Sequence, residues 1–165
     1  MSVTGSGVVV RRGGAQDSRF LRDMLHHAYY WKERRPDTGP GPVQLYVKAF
    51  GRPGDNLVIA LVDGFPVGAA WYRLFKAAKP GYGFVDEKTP ELAIAVVPNA
   101  RGKGVGSALL DALLARARAA GYESISLSVD KRNSGAIHVY EEHGFSRVAE
   151  TDDSLTMVCD LAPRG

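Results

Sequence analysis

Chemistry in this 165-residue chain concentrates in Arg101-Gly-Lys-Gly-Val-Gly106-Ser107, where glycines alternate with cations and small residues. Gly102, Gly104 and Gly106 keep side chains out of the way, so that a phosphate can approach the backbone closely. If a helix begins there, its first N–H groups lack intrahelical partners, and together with the helix dipole they attract an anion. Arg101 and Lys103 add positive charge. The plainer alternative is a glycine-rich turn with solvated cations. A second pair of candidates is Asn133 and Tyr140. Seven residues on an α-helix return to almost the same azimuth, drifting by only ~20°, so the two side chains share a face and can touch one elongated ligand. Alone, they read equally as a capping Asn and an anchoring Tyr. Among carboxylates, Glu91 opens the apolar run before the glycines, and Asp86 and Glu87 precede it in a loop.

The elements that must position these groups are legible around them. Leu92 to Val97 is unbroken apolar sequence closed by Pro98, too short for a typical helix, which predicts a strand buried on both faces. After the turn, Val105, Ala108, Leu109, Ala112 and Leu113 recur at helical spacing, the stripe of a helix packed on a core, with Gly121 where a C-terminal cap would sit. The turn is therefore a strand-to-helix junction. Neither common phosphate loop fits it. Lys103 is followed by Gly104 and not by Ser or Thr, and no Gly-x-Gly-x-x-Gly can be counted from Gly102 or Gly104. Asp130, ending the next strand, imitates the ribose-binding acid of dinucleotide folds and keeps a nucleotide-dependent oxidoreductase as an alternative.

Length suits one domain with one core: residues 1–7 are expected as a flexible leader and 8–165 as a single domain. No apolar run approaches the ~20 residues needed to span a bilayer, and no secretory signal is visible at the start. Cys159 is the single cysteine, in an alternating stretch that predicts a half-buried structural thiol in a reducing compartment. The histidines lack metal-ligand spacing. The net charge of +3 is too small to argue for nucleic acid, and no basic stripe is interleaved with aromatics.

In chain order, Val8–Arg12 predicts a short strand. Asp17 or Ser18 would cap a helix whose core face includes Phe20, Leu21, Met24, Leu25 and Ala28, running into Tyr29-Tyr30-Trp31. Residues 36–42 read as a loop and 43–50 as a second short helix. A hairpin follows: Asn56 to Val62, the turn signal Asp63-Gly64, then Phe65 to Phe75. The loop 76–90 is long enough to be functional. Ser124–Val129 alternates as a strand and, reached through a crossover helix, should lie parallel to the one before the turn. Residues 133–143 predict a short helix closed by Gly144, and 145–150 with 155–161 a closing antiparallel pair. The sum is an α/β fold, α+β by some definitions, with a mixed sheet and about four helices.

Arg-x-x-Gly-x-Gly at Arg101, Gly104 and Gly106, with Asn133-x-x-Ala136-x-x-x-Tyr140-x-x-x-Gly144-Phe145 at the appropriate separation, resembles the GNAT superfamily of N-acetyltransferases. The specific letters lie within residues 91–145. The resemblance implies a mixed, mostly antiparallel sheet whose central parallel strands splay apart, with the pantetheine arm of acetyl-CoA in the gap. It implies that Ile94, Ala95 and Val96 offer main-chain groups to that arm. Arg101, Gly102, Lys103, Gly104, Val105, Gly106 and Ser107 would hold the pyrophosphate, and Asn133 would contact the arm. Tyr140 would lie near the thioester sulfur and protonate the departing thiolate. The general base is left open: the position some relatives fill with glutamate is Ser128 here, and Glu91 is the candidate on the strand. The expected reaction is acetyl transfer from acetyl-CoA, as co-substrate and without a metal, to a primary amine. The acceptor is expected to be a small molecule, with a protein N-terminus or lysine as the alternative and a non-catalytic acyl-CoA-binding module as a remoter one. No nucleic-acid or membrane partner is expected, a homodimer stays open, and the expected location is cytoplasmic. Tyr30, Trp31, Trp71, Tyr72 and the Tyr82–Glu87 loop are expected to wall the acceptor pocket.

Overall fold

The computed structural model describes residues 2–3, 7–29 and 45–161, with side chains described over 7–25 and 45–161. In chain order the strands and helices are β1 (Ser2–Val3), β2 (Val8–Arg12), α1 (Ser18–Tyr29), β3 (Asn56–Val62), β4 (Phe65–Arg73), β5 (Glu91–Val96), α2 (Val105–Ala119), β6 (Ser124–Asp130), α3 (Ser134–Glu142), β7 (Phe145–Glu150) and β8 (Ser154–Asp160). They build one sheet in the order β1-β2-β3-β4-β5-β6-β8-β7. Every pairing is antiparallel except β5 with β6. Within the stretch expected as a leader, Ser2–Val3 adds an edge strand on β2. Tyr30 and Trp31, the 36–42 loop and the first residues of the expected 43–50 helix lie outside the described residues.

The β3–β4 hairpin forms where Asp63-Gly64 predicts it. Both residues take positive φ, 51° and 81°, the mirror-image turn that matches strand twist. Residues 45–50 are not the expected α-helix. A short 3-10 turn passes into a plain turn, and Ala49 at φ 51° breaks the right-handed path that a helix requires. Among the described residues the α-helices are therefore α1, α2 and α3.

Two apolar layers sandwich the sheet. On one face α2 lays Leu109, Leu110, Leu113 and Leu114 over Val58, Ala60, Ala70 and Leu92. On the other, α1 lays Leu21, Met24 and Leu25 over Ile59, Trp71, Ala93 and Ala95. Strand alternation explains the division, since Leu92, Ile94 and Val96 face α2 while Ala93 and Ala95 face α1. Gly68 fixes how closely α2 approaches β4. A Cβ there would stand 2.9 Å from the Ala95 carbonyl oxygen and 3.1 Å from Leu109 Cδ1.

Arg73, fully buried, ties the 45–55 segment to the sheet. Its guanidinium grips Asp55 by two bonds of 3.0 and 2.7 Å and donates to the carbonyls of Leu45 and Lys48 at 2.9 and 2.8 Å. Such forked pairing is what makes a buried charge tolerable.

The parallel pair opens the site. β5 and β6 share one register pair, Glu91 with Ser126, closed by Ser126 N donating to the Pro90 carbonyl at 2.9 Å. Beyond it the strands diverge, as the resemblance implies.

Candidate active site

The divergence of β5 and β6 leaves a cleft of about 910 Å³. Backbone alternation turns the main-chain groups of Ile94 and the N–H of Val96 into the gap, while Val97 N turns the other way to donate to the Val67 carbonyl at 2.8 Å. A 3-10 turn, Pro98–Ala100, then carries the chain across to the start of α2. Arg101 Nε donates back to the Val96 carbonyl at 3.1 Å, pinning the turn to the strand end.

Gly102 and Gly104 both sit at positive φ, 79° and 80°, where a side chain would be strained. Gly104 is the N-cap of α2 without a capping side chain. Ala108 N is the first to find a helical acceptor, the Gly104 carbonyl at 3.1 Å. Among the described residues the N–H groups of Gly102 through Ser107 donate to no protein acceptor. A Cβ on Gly102 or Gly106 would meet nothing within 4 Å, so the approach to those N–H groups is open. Unpaired donors, helix dipole and open approach together fit a diphosphate.

Ile94, Ala95, Val96, Arg101, Gly102, Gly104, Val105, Gly106, Ser107, Asn133 and Tyr140 all line this one cleft. Lys103 is exposed and outside the lining. Asn133 caps α3, its side-chain oxygen accepting from Ala136 N at 3.3 Å, and faces the cleft as well. Tyr140 is buried, tilted against Phe145 at 5.9 Å between centroids. Among the described residues no protein group hydrogen-bonds its hydroxyl. Burial pushes the phenol above its ordinary value, so it keeps its proton at neutral pH.

Glu91 lies elsewhere. Its carboxylate is buried at the closed end of the β5–β6 pair and does not line the cleft. Oε2 accepts from the Tyr46 hydroxyl and, at 3.0 Å, from Gly83 N. Oε1 has no partner among the described residues, nor has Ser126 Oγ, its register neighbour. Burial raises the Glu91 carboxyl to about 7 against the opposing pull of the Tyr46 and Gly83 hydrogen bonds. Asp86 and Glu87 are spent on their own loop, accepting from Lys88 N and Ala77 N at 2.9 and 2.8 Å.

The expected acceptor walls divide. Trp71 and Tyr72 are fully buried core: the indole donates to the Tyr46 carbonyl at 3.0 Å, and the Tyr72 hydroxyl accepts from Asn56 at 3.0 Å. Tyr82 does line the cleft, beside Ser128 of β6. Asp130, the supposed ribose acid, is clasped by Arg132 at 3.0 and 2.6 Å. The sequence reading missed Arg132, although it lines the cleft, ion-paired there with Asp130. Tyr46 was missed as well, because its partner Glu91 is distant in the chain and no spacing rule connects them.

A sheet that splays at its parallel pair above a glycine-rich helix start defines an acetyltransferase architecture. The profile of the Acetyltransferase (GNAT) family matches residues 20–145, and the chain belongs to that family. It is similar to mycothiol acetyltransferases, with 48% identity over 59 residues to the Propionibacterium freudenreichii protein, which is 36% of this chain and 19% of that one. The Catenulispora acidiphila protein is 33% identical over 127 residues, 70% of this chain and 37% of that one. The chain thus spans well under half the length of these relatives. Among solved structures, one from Salmonella typhimurium described as an acetyltransferase with its cofactor acetyl-CoA superposes with a TM-score of 0.70 at 22% identity, covering 96% of each chain.

Proposed function

We propose that this protein is an acetyl-CoA-dependent N-acetyltransferase that transfers the acetyl group directly to the primary amine of a small molecule, with no metal. The observation that carries the reading is the convergence, in one cleft, of unpaired N–H groups at Gly102–Ser107 and a protonated phenol at Tyr140. The first group holds the diphosphate of acetyl-CoA, and the main-chain groups of Ile94 and Val96 align its arm along β5. When bound, acetyl-CoA supplies a thioester carbonyl for the amine to attack. The N–H near Val96 faces the developing oxyanion, and Tyr140 gives its proton to the departing sulfur. A primary amine arrives mostly protonated, near pKa ~10.4, so it must lose a proton before attack.

The similar proteins named for mycothiol, not for a protein acceptor, support the small-molecule reading. No helix among the described residues is long and apolar enough to cross a membrane; a cytoplasmic site of action is part of the proposal. Thiol release from acetyl-CoA on addition of an amine panel tests the assignment. Amine-dependent release supports transfer, and tight acetyl-CoA binding without release would make the protein an acyl-CoA sensor.

A further inference from the structure

The groups around Tyr82 form a chain of contacts whose common result is to fix that residue. Tyr46 is anchored first: its carbonyl accepts from Trp71 Nε1 at 3.0 Å, and Arg73 holds the carbonyls of Leu45 and Lys48 on either side. The Tyr46 hydroxyl donates to Glu91 and accepts from Tyr82 N at 2.9 Å, while Gly83 N donates to the same carboxylate at 3.0 Å. The Tyr46 and Tyr82 rings stack, 6.4 Å between centroids and 16° apart.

The glycines flanking Tyr82 show how tightly the loop is pressed. A Cβ at Gly81 would stand 2.7 Å from the Tyr46 hydroxyl, and one at Gly83 would stand 2.6 Å from the Leu127 carbonyl carbon and 2.8 Å from Ser128 N. The loop backbone thus lies directly on Glu91 and β6. Phe84 packs into the α1-side layer, which places the loop on the sheet face opposite α2. The glycine turn opens the cleft from the α2 face, and Tyr82, 40% exposed, lines it from the other.

We propose that Tyr82 is the acceptor-recognition residue, a fixed aromatic face on which an amine carrying a flat ring packs, and that Glu91 is a positioning residue that holds the face in place. The proposal rests on the N-acetyltransferase reading and names the acceptor chemistry of its cleft. A ring already immobilised on Tyr46 loses little further freedom when a ligand stacks on it. Offset stacking rewards a flat partner more than a flexible alkyl chain. The acceptor chemistry named is an aromatic ring close to a primary amine; a pyranose, puckered and without a π face, is the contrast.

The test measures thiol release from acetyl-CoA with phenethylamine, glucosamine and hexylamine as probe acceptors. It compares the wild-type protein with Tyr82→Leu, Tyr82→Phe, Tyr46→Phe and Glu91→Gln. The wild type should favour phenethylamine over both hexylamine and glucosamine, and a lead for glucosamine would overturn the flat-ring acceptor. Tyr82→Leu should raise the KM of the favoured probe about three- to tenfold with kcat moved much less, and Tyr82→Phe should retain the preference. Tyr46→Phe deletes the hydroxyl that holds Tyr82 N and should raise the same KM. In Glu91→Gln the pH dependence of kcat should persist. A wild-type preference for hexylamine, or an unmoved KM in Tyr82→Leu, would overturn the recognition role. Loss of the pH dependence of kcat in Glu91→Gln at unmoved KM would make Glu91 the base and overturn the positioning role. Absence of release with every amine while acetyl-CoA binds would overturn the transferase reading, and the proposal with it.

Discussion

Tyr140 faces the cleft with its proton in place, and the upward push of burial, which makes the phenol a weaker acid in the free protein, leaves its reach to the leaving sulfur as what recommends it. Phenylalanine preserves the ring and its contact with Phe145 and deletes only the acid. Tyr140→Phe should therefore lower kcat by ~10²–10⁴-fold, the usual worth of a positioned general acid, with acetyl-CoA affinity by calorimetry little altered. Unchanged turnover with chemistry rate-limiting would return Tyr140 to a packing role. Glu91 makes a different prediction at this scale. Its folded-state value of about 7 lies above the ordinary 4.5 because burial disfavours the charge. Between those values the folded protein binds more protons than the unfolded chain, so stability falls as pH rises. The contribution is fully present below 4.5 and lost as pH rises through about 7, roughly 3 kcal/mol in all. Melting temperature should decline across that window, and Glu91→Gln, which cannot ionise, should flatten the decline. An identical slope in both proteins would contradict the buried carboxyl.

At the scale of elements, the strand–turn–helix unit and the segment that Arg73 anchors carry separate tasks. Gly104→Glu puts a bulky anion and a Cβ at φ 80°, where a diphosphate must approach. Calorimetry should show acetyl-CoA binding abolished, while the far-UV spectrum stays native. Arg73→Ala breaks the buried pair with Asp55, though Asp55 keeps the N–H donors of Gly51 and Arg52, so the loss should fall toward the lower end of the ~3–5 kcal/mol typical of a broken buried pair. Denaturant unfolding should show that loss, and a loss below 1 kcal/mol would mean that solvent reaches Asp55. The division also explains what could be read in the sequence. Arg101 to Ser107 and Asn133 to Tyr140 were legible because their chemistry depends on local spacing, which the backbone periods translate directly into direction. The Asp63-Gly64 hairpin was legible for the same reason. Tyr46, Arg73 and the Gly81–Gly83 clasp were not, because each acquires its role from a partner brought close only by the folded sheet. The helix expected over 43–50 failed in its described part because Ala49 turns left-handed where Arg73 captures the neighbouring carbonyls. Trp71 and Tyr72 show the converse error: aromatic density marked core, not a pocket wall.

For the molecule as a whole, β5 and β6 part beyond the Glu91–Ser126 pair, and three elements bring functional groups to that opening. α2 presents donors from one face, α3 presents Tyr140, and the loop under Tyr46 presents Tyr82 from the other face. The proposed function predicts transfer in a ternary complex, with no acetyl group attached to the protein along the way. The most direct measurement is mass spectrometry of an amine pool incubated with the protein and acetyl-CoA. The account predicts an N-acetylated amine formed in step with free CoA thiol, and strongly reduced product with Tyr140→Phe. Bound acetyl-CoA with no acetylated amine, or product formation indifferent to Tyr140, would contradict it.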